Sequence, residues 1–338
     1  MSAPVLIWGA GAIGGILGAC LARAGHAVQM VDIVEDHVRA MRDDGLAIKG
    51  PVERFVQRLP AATPDELEGR YERVFLCVKA HHTEEALDML LPHLAPGGHV
   101  ISAQNGLNEM MIAERIGVEN TVGCFVNYGA DWIGPGRILY GNRAAVAVGE
   151  LDGEMTPRVA EIHALLRLVE PDAVATDNIW GYLWGKLGYG ALLFATALTP
   201  DSMSDAMDRA AHRPVYEALG AEVMRLARAR GVRPLGFNGF DPDAFARQDA
   251  GAMRASLDAM VAHNRKTAKT HSGIWRDLAV RRRKTEVDAQ IGVLVEMAGA
   301  DGIAVPALTR LRDLIHEIEA GRRAQSAALL DEMVPLCA

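Results

Sequence analysis

An α/β sheet domain followed by an all-α domain is the fold class that this sequence predicts, and three observations predict it. A short apolar run rich in β-formers, Pro4 to Trp8, leads into Gly9-Ala10-Gly11-Ala12-Ile13-Gly14 and then into a helical stretch, Ile16 to Ala24. Strand and helix signals go on alternating as far as about residue 150. From Asn178 the apolar period turns helical, with Trp180, Leu183, Trp184, Leu187 and Ala191 at i, i+3, i+4, i+7 and i+11.

The first unit carries the more specific pattern. In the spacing G-x-G-x-x-G, Gly9 permits the tight turn, Gly11 lets a pyrophosphate approach the backbone, and Gly14 lets the helix pack closely on the strand. The helix N-terminus then faces the phosphates. A second strand, Ala27 to Val31, ends at Asp32, 18 residues beyond Gly14, where a carboxylate accepts hydrogen bonds from both hydroxyls of the adenosine ribose. This predicts a Rossmann dinucleotide-binding domain, with Gly9, Ala10, Gly11, Ala12, Ile13, Gly14 and Asp32 at the cofactor. NAD is expected in preference to NADP, because a 2′-phosphate would meet the carboxylate. A glycine-rich turn in a chain with 34 glycines is the plainer alternative, and it leaves the register of strand, helix, second strand and terminal acid unexplained.

Further elements follow in order. Val74 to Val78 reads as a buried parallel strand, Glu84 to Leu91 as a helix, His99 to Ala103 as a strand ending at Gln104-Asn105-Gly106, and Thr121 to Asn127 as another strand. Ligands of such sheets bind beyond the carboxyl ends of the strands, which makes Lys79 and Asn105 cofactor-side candidates. Spacing alone also fits a solvated lysine at 79 and a turn residue at 105. The pair His81-His82 lacks metal-ligand spacing and reads as surface histidines. In the second half, Glu217 to Arg230, Ala244 to Arg254, the stretch around Thr285 to Ala298, and Ala307 to Glu319 read as helices. The expected domains are 1–177, binding the dinucleotide, and 178–338, helical, for substrate and dimerisation.

Composition narrows the function classes. At 338 residues the chain exceeds what one core holds, since single cores stop growing at roughly 250 to 300 residues. A net charge of −8 supplies no basic surface, so no nucleic-acid partner is expected. Cys20, Cys77, Cys124 and Cys337 are too sparse for a disulfide framework and lack C-x-x-C spacing, so buried thiols are expected and no metal site. Met-Ser-Ala-Pro runs straight into the first strand, without a signal peptide, and no uncharged run reaches about 18 apolar residues. A cytoplasmic protein with no membrane partner is the expectation.

Lys186 is the other informative residue. It is the one charge between Trp184 and Leu198, and a buried ammonium is costly unless it is paired or put to chemical use. Beside a bound dinucleotide, such a group suggests proton transfer.

Taken in order, these pieces resemble the ketopantoate reductase (2-dehydropantoate 2-reductase) family over nearly the whole chain. The matching segments are Gly-Ala-Gly-Ala-Ile-Gly at 9 to 14, Cys-Val-Lys at 77 to 79, Gln-Asn-Gly at 104 to 106, Trp184-Gly-Lys186-Leu, Arg283-Lys-Thr-Glu286-Val-Asp288, Gly302-Ile-Ala-Val-Pro306 and Thr309-Arg-Leu311. The resemblance implies a Rossmann domain joined to a helical domain, with the active site in the cleft between them. It implies hydride transfer between the nicotinamide and C2 of a 2-oxo or 2-hydroxy acid. It makes Lys186 the general acid and Glu286 the helical domain's other catalytic charge, places Asn105 at the nicotinamide or substrate, and puts Lys79 near the cofactor. An alkoxide forming in a dry cleft needs such a cation and proton source. A homodimer formed through the helical domain is a plausible expectation that no surface stripe in the sequence proves.

Departures from the family pattern concern the substrate. Asparagines four and eight residues after the catalytic lysine usually meet it, and here those positions are Gly190 and Phe194. The family's Ser-Ser-Met segment becomes Ser272-Gly273-Ile274, followed by Trp275. Gly190, Phe194, Ser272, Gly273 and Asn105 are therefore expected at a changed substrate pocket, with aromatic surface added at 194. The favoured reading is an NAD-dependent enzyme acting on a 2-oxo or 2-hydroxy acid other than pantoate. A genuine 2-dehydropantoate 2-reductase and a non-catalytic NAD-binding sensor are the alternatives.

Overall fold

The structure, a computed structural model, describes residues 3–267 and 269–337. The chain divides into two compact units, Met1–Ile179 and Trp180–Ala338.

In the first unit the strands are β1 (Val5–Trp8), β2 (Val28–Val31), β3 (Leu46–Lys49), β4 (Phe55–Gln57), β5 (Ala61–Ala62), β6 (Tyr71–Leu76), β7 (Leu94–Ser102), β8 (Thr121–Val126), β9 (Gly129–Gly134), β10 (Arg137–Asn142), β11 (Val146–Glu150) and β12 (Val174–Ala175). Eight of them form one sheet in the order β12-β11-β8-β7-β6-β1-β2-β5. From β5 to β8 all neighbours are parallel, and Val5 pairs with both Val28 and Arg73. The chain winds outward from β1 to β2 and β5, then returns to β6 on the other side of β1. This reversal makes the carboxyl ends of β1 and β6 the topological switch point.

Both faces of this sheet are covered, which is why β1 is a continuous apolar run rather than an alternating one. Val5 and Ile7 belong to a core with Ile16, Leu17, Cys20 and Leu21 of α1 (Ala12–Arg23), and with Val38 and Met41 of α2 (Glu35–Asp43). Leu6 and Trp8 point the other way, to Ala86, Leu87 and Leu90 of α3 (Thr83–Leu90) and Ile112 of α4 (Asn108–Ile116). The last helix wholly within this unit, α5 (Pro157–Arg167), starts at Thr156, whose side chain accepts from Val159 N–H.

The simple alternation expected up to residue 150 does not hold. A second sheet, ordered β4-β3-β10-β9, packs against α1 through residues such as Leu46 and Ile138. Its strands are short and mostly half-exposed, so they lack the apolar runs that announce the main sheet. Strand β6 also stops at Leu76 rather than Val78, and beyond it the Val78 carbonyl accepts from the Gln104 side chain (2.9 Å).

The second unit is helical: α6 (Ile179–Thr196), α7 (Met203–Asp208), α8 (Arg213–Ala229), α9 (Pro242–Arg247), α10 (Ala250–Arg265), α11 (Gly273–Arg276), α12 (Val293–Ala300), α13 (Pro306–Glu319) and α14 (Ala328–Asp331). Two π-helical turns, Asp277–Arg281 and Asp288–Gly292, interrupt the regular period. Helix α6 is apolar nearly all round and correspondingly buried, with Leu183, Trp184 and Leu187 each 2% exposed. Close packing explains its glycines: a Cβ on Gly185 would collide with the Leu235 carbonyl, and one on Gly188 would lie 2.7 Å from Met224 and Phe240.

The expected helix over Ala244 to Arg254 is two helices. Gln248 takes φ 52° and ends α9, and Asp249 then caps α10 by accepting from Ala252 N–H (3.0 Å). Regular helix around Thr285 also begins later than expected, since the Thr285 N–H and hydroxyl both donate to Glu319 Oε1 at 2.7 Å. Among the described residues no helix is long and apolar enough to cross a membrane.

Candidate functional site

In the first unit the glycine loop follows β1 directly. Gly9 adopts φ +96°, and a Cβ there would sit 2.8 Å from Val78 N. The N–H groups of Gly9 and Ala10 both donate to Val31 O (2.9 and 3.1 Å), tying the loop to the end of β2. A Cβ on Gly14 would collide with Gly9 O, so close packing of α1 on the strand needs glycine there. Gly11 differs, because nothing lies within 4 Å of where its Cβ would be. It is the N-cap of α1, which has neither a side-chain cap nor an acidic residue in its first turn. Open backbone at an uncapped helix N-terminus is what a pyrophosphate requires.

Two residues that sequence reasoning missed hold this loop. His37 is 1% exposed; its Nδ1 accepts from Gly136 N–H (2.9 Å), so Nε2 carries the ring proton and donates to Ala10 O (2.9 Å). The buried Tyr128 donates its hydroxyl proton to Ile13 O (3.0 Å). They lie 27 and 115 residues from their partners, and no local pattern marks either.

Asp32 stands just past β2, half-buried, with Oδ1 accepting from Val34 N–H (3.0 Å). Beyond it opens a hollow of about 410 Å³ lined by Ile33, Glu35, Thr63, Pro64, Asp65 and Met89. Three carboxylates, Asp32, Glu35 and Asp65, thus stand at or beside this end of the sheet. These residues fit a dinucleotide whose adenosine lies over the end of β2.

Lys79 and Asn105 follow the carboxyl ends of β6 and β7, both half-buried. A buried amide network braces their loops. Gln104 Nε2 donates to Val78 O and to Thr83 Oγ1 (2.9 and 2.8 Å), and Asn108 Nδ2 donates to Asn105 O (2.6 Å). Gln104, Thr83 and Asn108 are therefore positioning residues; only the Gln-Asn-Gly sequence hinted at one of them. His81 and His82 are exposed, with ring centroids 4.2 Å apart. Burial pushes the Cys20 and Cys337 thiols up to about 11 and raises that of Cys77, so these thiols stay protonated and inert.

In the second unit Lys186 is half-buried in the middle of α6, on the face that also carries Gly190. A helix turns about 100° per residue, so Gly190 lies about 40° round from Lys186 and Phe194 about 80°. Phe194 is 0% exposed, which corrects the expectation that it adds aromatic surface to a pocket: it is core. Gly190 keeps a half-exposed backbone, and a Cβ there would lie 3.4 Å from Gln290 Oε1. Glu286 is half-buried beside the Thr285–Glu319 anchor, and its carbonyl accepts from Gln290 N–H (3.1 Å). Gly190 and the segment from Glu286 to Gln290 are thus neighbours. Ser272 is 2% exposed and its hydroxyl caps α11 by accepting from Trp275 N–H (3.1 Å), whereas no atom of the described residues lies within 4 Å of a Cβ built on Gly273.

A doubly wound sheet with an uncapped glycine loop at its switch point, joined to an all-α unit, defines a dinucleotide-dependent oxidoreductase. Models of the ketopantoate reductase PanE/ApbA family match residues 5–153, and its C-terminal domain matches residues 178–319. The chain belongs to the ketopantoate reductase family, whose oxidoreductases use NAD(P)H. A 2-dehydropantoate 2-reductase from Halobacterium salinarum is 27% identical over 317 residues, covering 92% of this chain and 97% of its own. The crystal structure of a ketopantoate reductase of this family from Ralstonia eutropha superposes with a TM-score of 0.77 at 27% identity, covering 95% of this chain and all (100%) of the other. A D-mandelate dehydrogenase in complex with NADH and anilino(oxo)acetate gives a TM-score of 0.80 at 20% identity, over 94% of this chain and 98% of that one, a likeness of fold.

Proposed function

We propose that this enzyme transfers hydride between NAD(H) and C2 of a 2-oxo or 2-hydroxy acid other than pantoate. Gly190 carries the reading: where the family usually presents an asparagine to the substrate, this chain has a half-exposed backbone without a side chain one helical turn from Lys186. The D-mandelate dehydrogenase of the same fold, seen with an oxo acid bearing an anilino group, supports a pocket that takes a bulkier side chain than pantoate's.

The bound cofactor supplies or accepts the hydride. The chain's own residues do the rest. The loop from Gly9 to Gly14, braced by His37 and Tyr128, presents helix N–H groups to the pyrophosphate. Asp32 takes the ribose hydroxyls and disfavours a 2′-phosphate, so NAD is preferred over NADP. Lys79 and Asn105 serve the nicotinamide end. Lys186 donates its ammonium proton to the substrate oxygen as it becomes an alkoxide, and takes it back in oxidation. Glu286 is the companion carboxylate that favours the charged lysine. The functional domains are the dinucleotide-binding residues 1–177 and the substrate residues 178–338, the latter also pairing two copies in a homodimer.

A panel of 2-oxo acids offered with NADH and with NADPH, followed by cofactor absorbance, tests the reading. A bulkier acid should exceed ketopantoate in kcat/KM. Ketopantoate turnover above about 10⁴ M⁻¹s⁻¹, unmatched by other acids, would instead assign the 2-dehydropantoate 2-reductase activity that the curated relatives carry.

A further inference from the structure

The space at Gly190 is shared with a group from another element. Gln290 lies in the π-helical turn Asp288–Gly292, its N–H donates one turn back to Glu286 O, and its side-chain Oε1 lies 3.4 Å from where a Cβ on Gly190 would be. The Gln290 side chain is half-buried and makes no hydrogen bond to the described residues. An amide offers two donors and an acceptor, and one left unused beside an open helix face is poised for a ligand. An asparagine at 190 and the present Gln290 amide would compete for the same volume.

We infer that Gln290 determines substrate choice. Its amide, reaching over Gly190 from the neighbouring segment, hydrogen-bonds a polar group on the side chain of the 2-oxo acid. The amide enters this volume from the π-helical turn rather than from α6, so it meets the substrate from another direction than an asparagine at 190 would. The substrate class is a 2-oxo acid whose side chain carries a hydroxyl or carbonyl. This rests on Lys186 as the proton donor of the same site.

The test compares 5-hydroxy-2-oxopentanoate with its isostere 2-oxohexanoate, both with NADH, in the wild type and in Gln290→Leu. The wild type should favour the hydroxy acid by at least about tenfold in kcat/KM, because the isostere covers the amide without giving it a partner. Gln290→Leu should erase that ratio, with NADH affinity at the wild-type value as the check that the variant is folded. Adding Gly190→Asn to Gln290→Leu should restore a preference for the hydroxy acid over its isostere, since an amide returns to the same volume. If Gln290→Leu does not fold, Gln290→Met is read in the same way. An unchanged ratio in the variant, or no preference in the wild type, overturns the inference. Undiminished turnover in Lys186→Met would refute the reading beneath it instead, and absence of turnover with every acid would overturn both.

Discussion

Replacing His37 by leucine probes how the glycine loop is held. The imidazole satisfies two buried backbone groups at once, accepting from Gly136 N–H and donating to Ala10 O, both at 2.9 Å. Leucine is similar in bulk but offers neither function, so both groups lose their partners at a site that is 1% exposed. Each buried orphan costs about 1–3 kcal/mol, so the variant should lose roughly 2–6 kcal/mol of stability. Part of that loss should appear in binding, because Ala10 belongs to the loop that faces the pyrophosphate. Urea unfolding monitored by tryptophan fluorescence gives the first quantity, and NADH titration under native conditions gives the second. The expected result is a lower midpoint together with at least about tenfold weaker NADH binding, while kcat at saturating cofactor changes little. Wild-type stability and affinity in His37→Leu would refute the assignment of a bracing role.

Other perturbations reach different parts of the account. Asp32→Ala should narrow a preference for NADH over NADPH of at least about tenfold in kcat/KM, and equal rates with the two cofactors in the wild type would remove the basis for that assignment. His99 is buried, with no partner for Nε2, and burial, helped by Arg158 and Arg73, pulls its pKa from 6.5 down to about 4. Between those values the unfolded chain binds more protons than the folded one, so stability rises with pH across that window and is flat outside it. The gain amounts to about 3 kcal/mol, and His99→Gln should flatten that part of a stability–pH curve.

Much of this was legible in the sequence because the relevant patterns are local. Gly9, Gly11, Gly14 and Asp32 announce themselves by spacing, and each glycine proves to have the backbone angle, clearance or packing its place implies. The apolar period of α6 likewise shows through, since nearly every face of that helix is buried. What stayed hidden depends on contacts between distant residues. The β4-β3-β10-β9 sheet is built from short, half-exposed strands, and the partners of His37 and Tyr128 are set by topology. Phe194 was misread because a position judged by its spacing from Lys186 carries here a large apolar side chain that is fully buried in the core. Gln290 could not be linked to Gly190 from sequence, because a π-helical turn, with no signature of its own, brings them together.

The central claim is that Lys186 moves the proton, and the most direct measurement pairs steady-state turnover of Lys186→Met on the best 2-oxo acid with NADH titration of the same variant. Methionine keeps the apolar stem within α6 and removes only the charge and the proton. The proposed phosphate and ribose contacts of the cofactor lie at residues 9–14 and 32, so NADH affinity should stay at the wild-type value. Turnover should fall by roughly 10²- to 10⁴-fold, the usual worth of one positioned acid or base. Near-wild-type turnover with unchanged NADH binding would contradict the account and make Lys186 a structural residue.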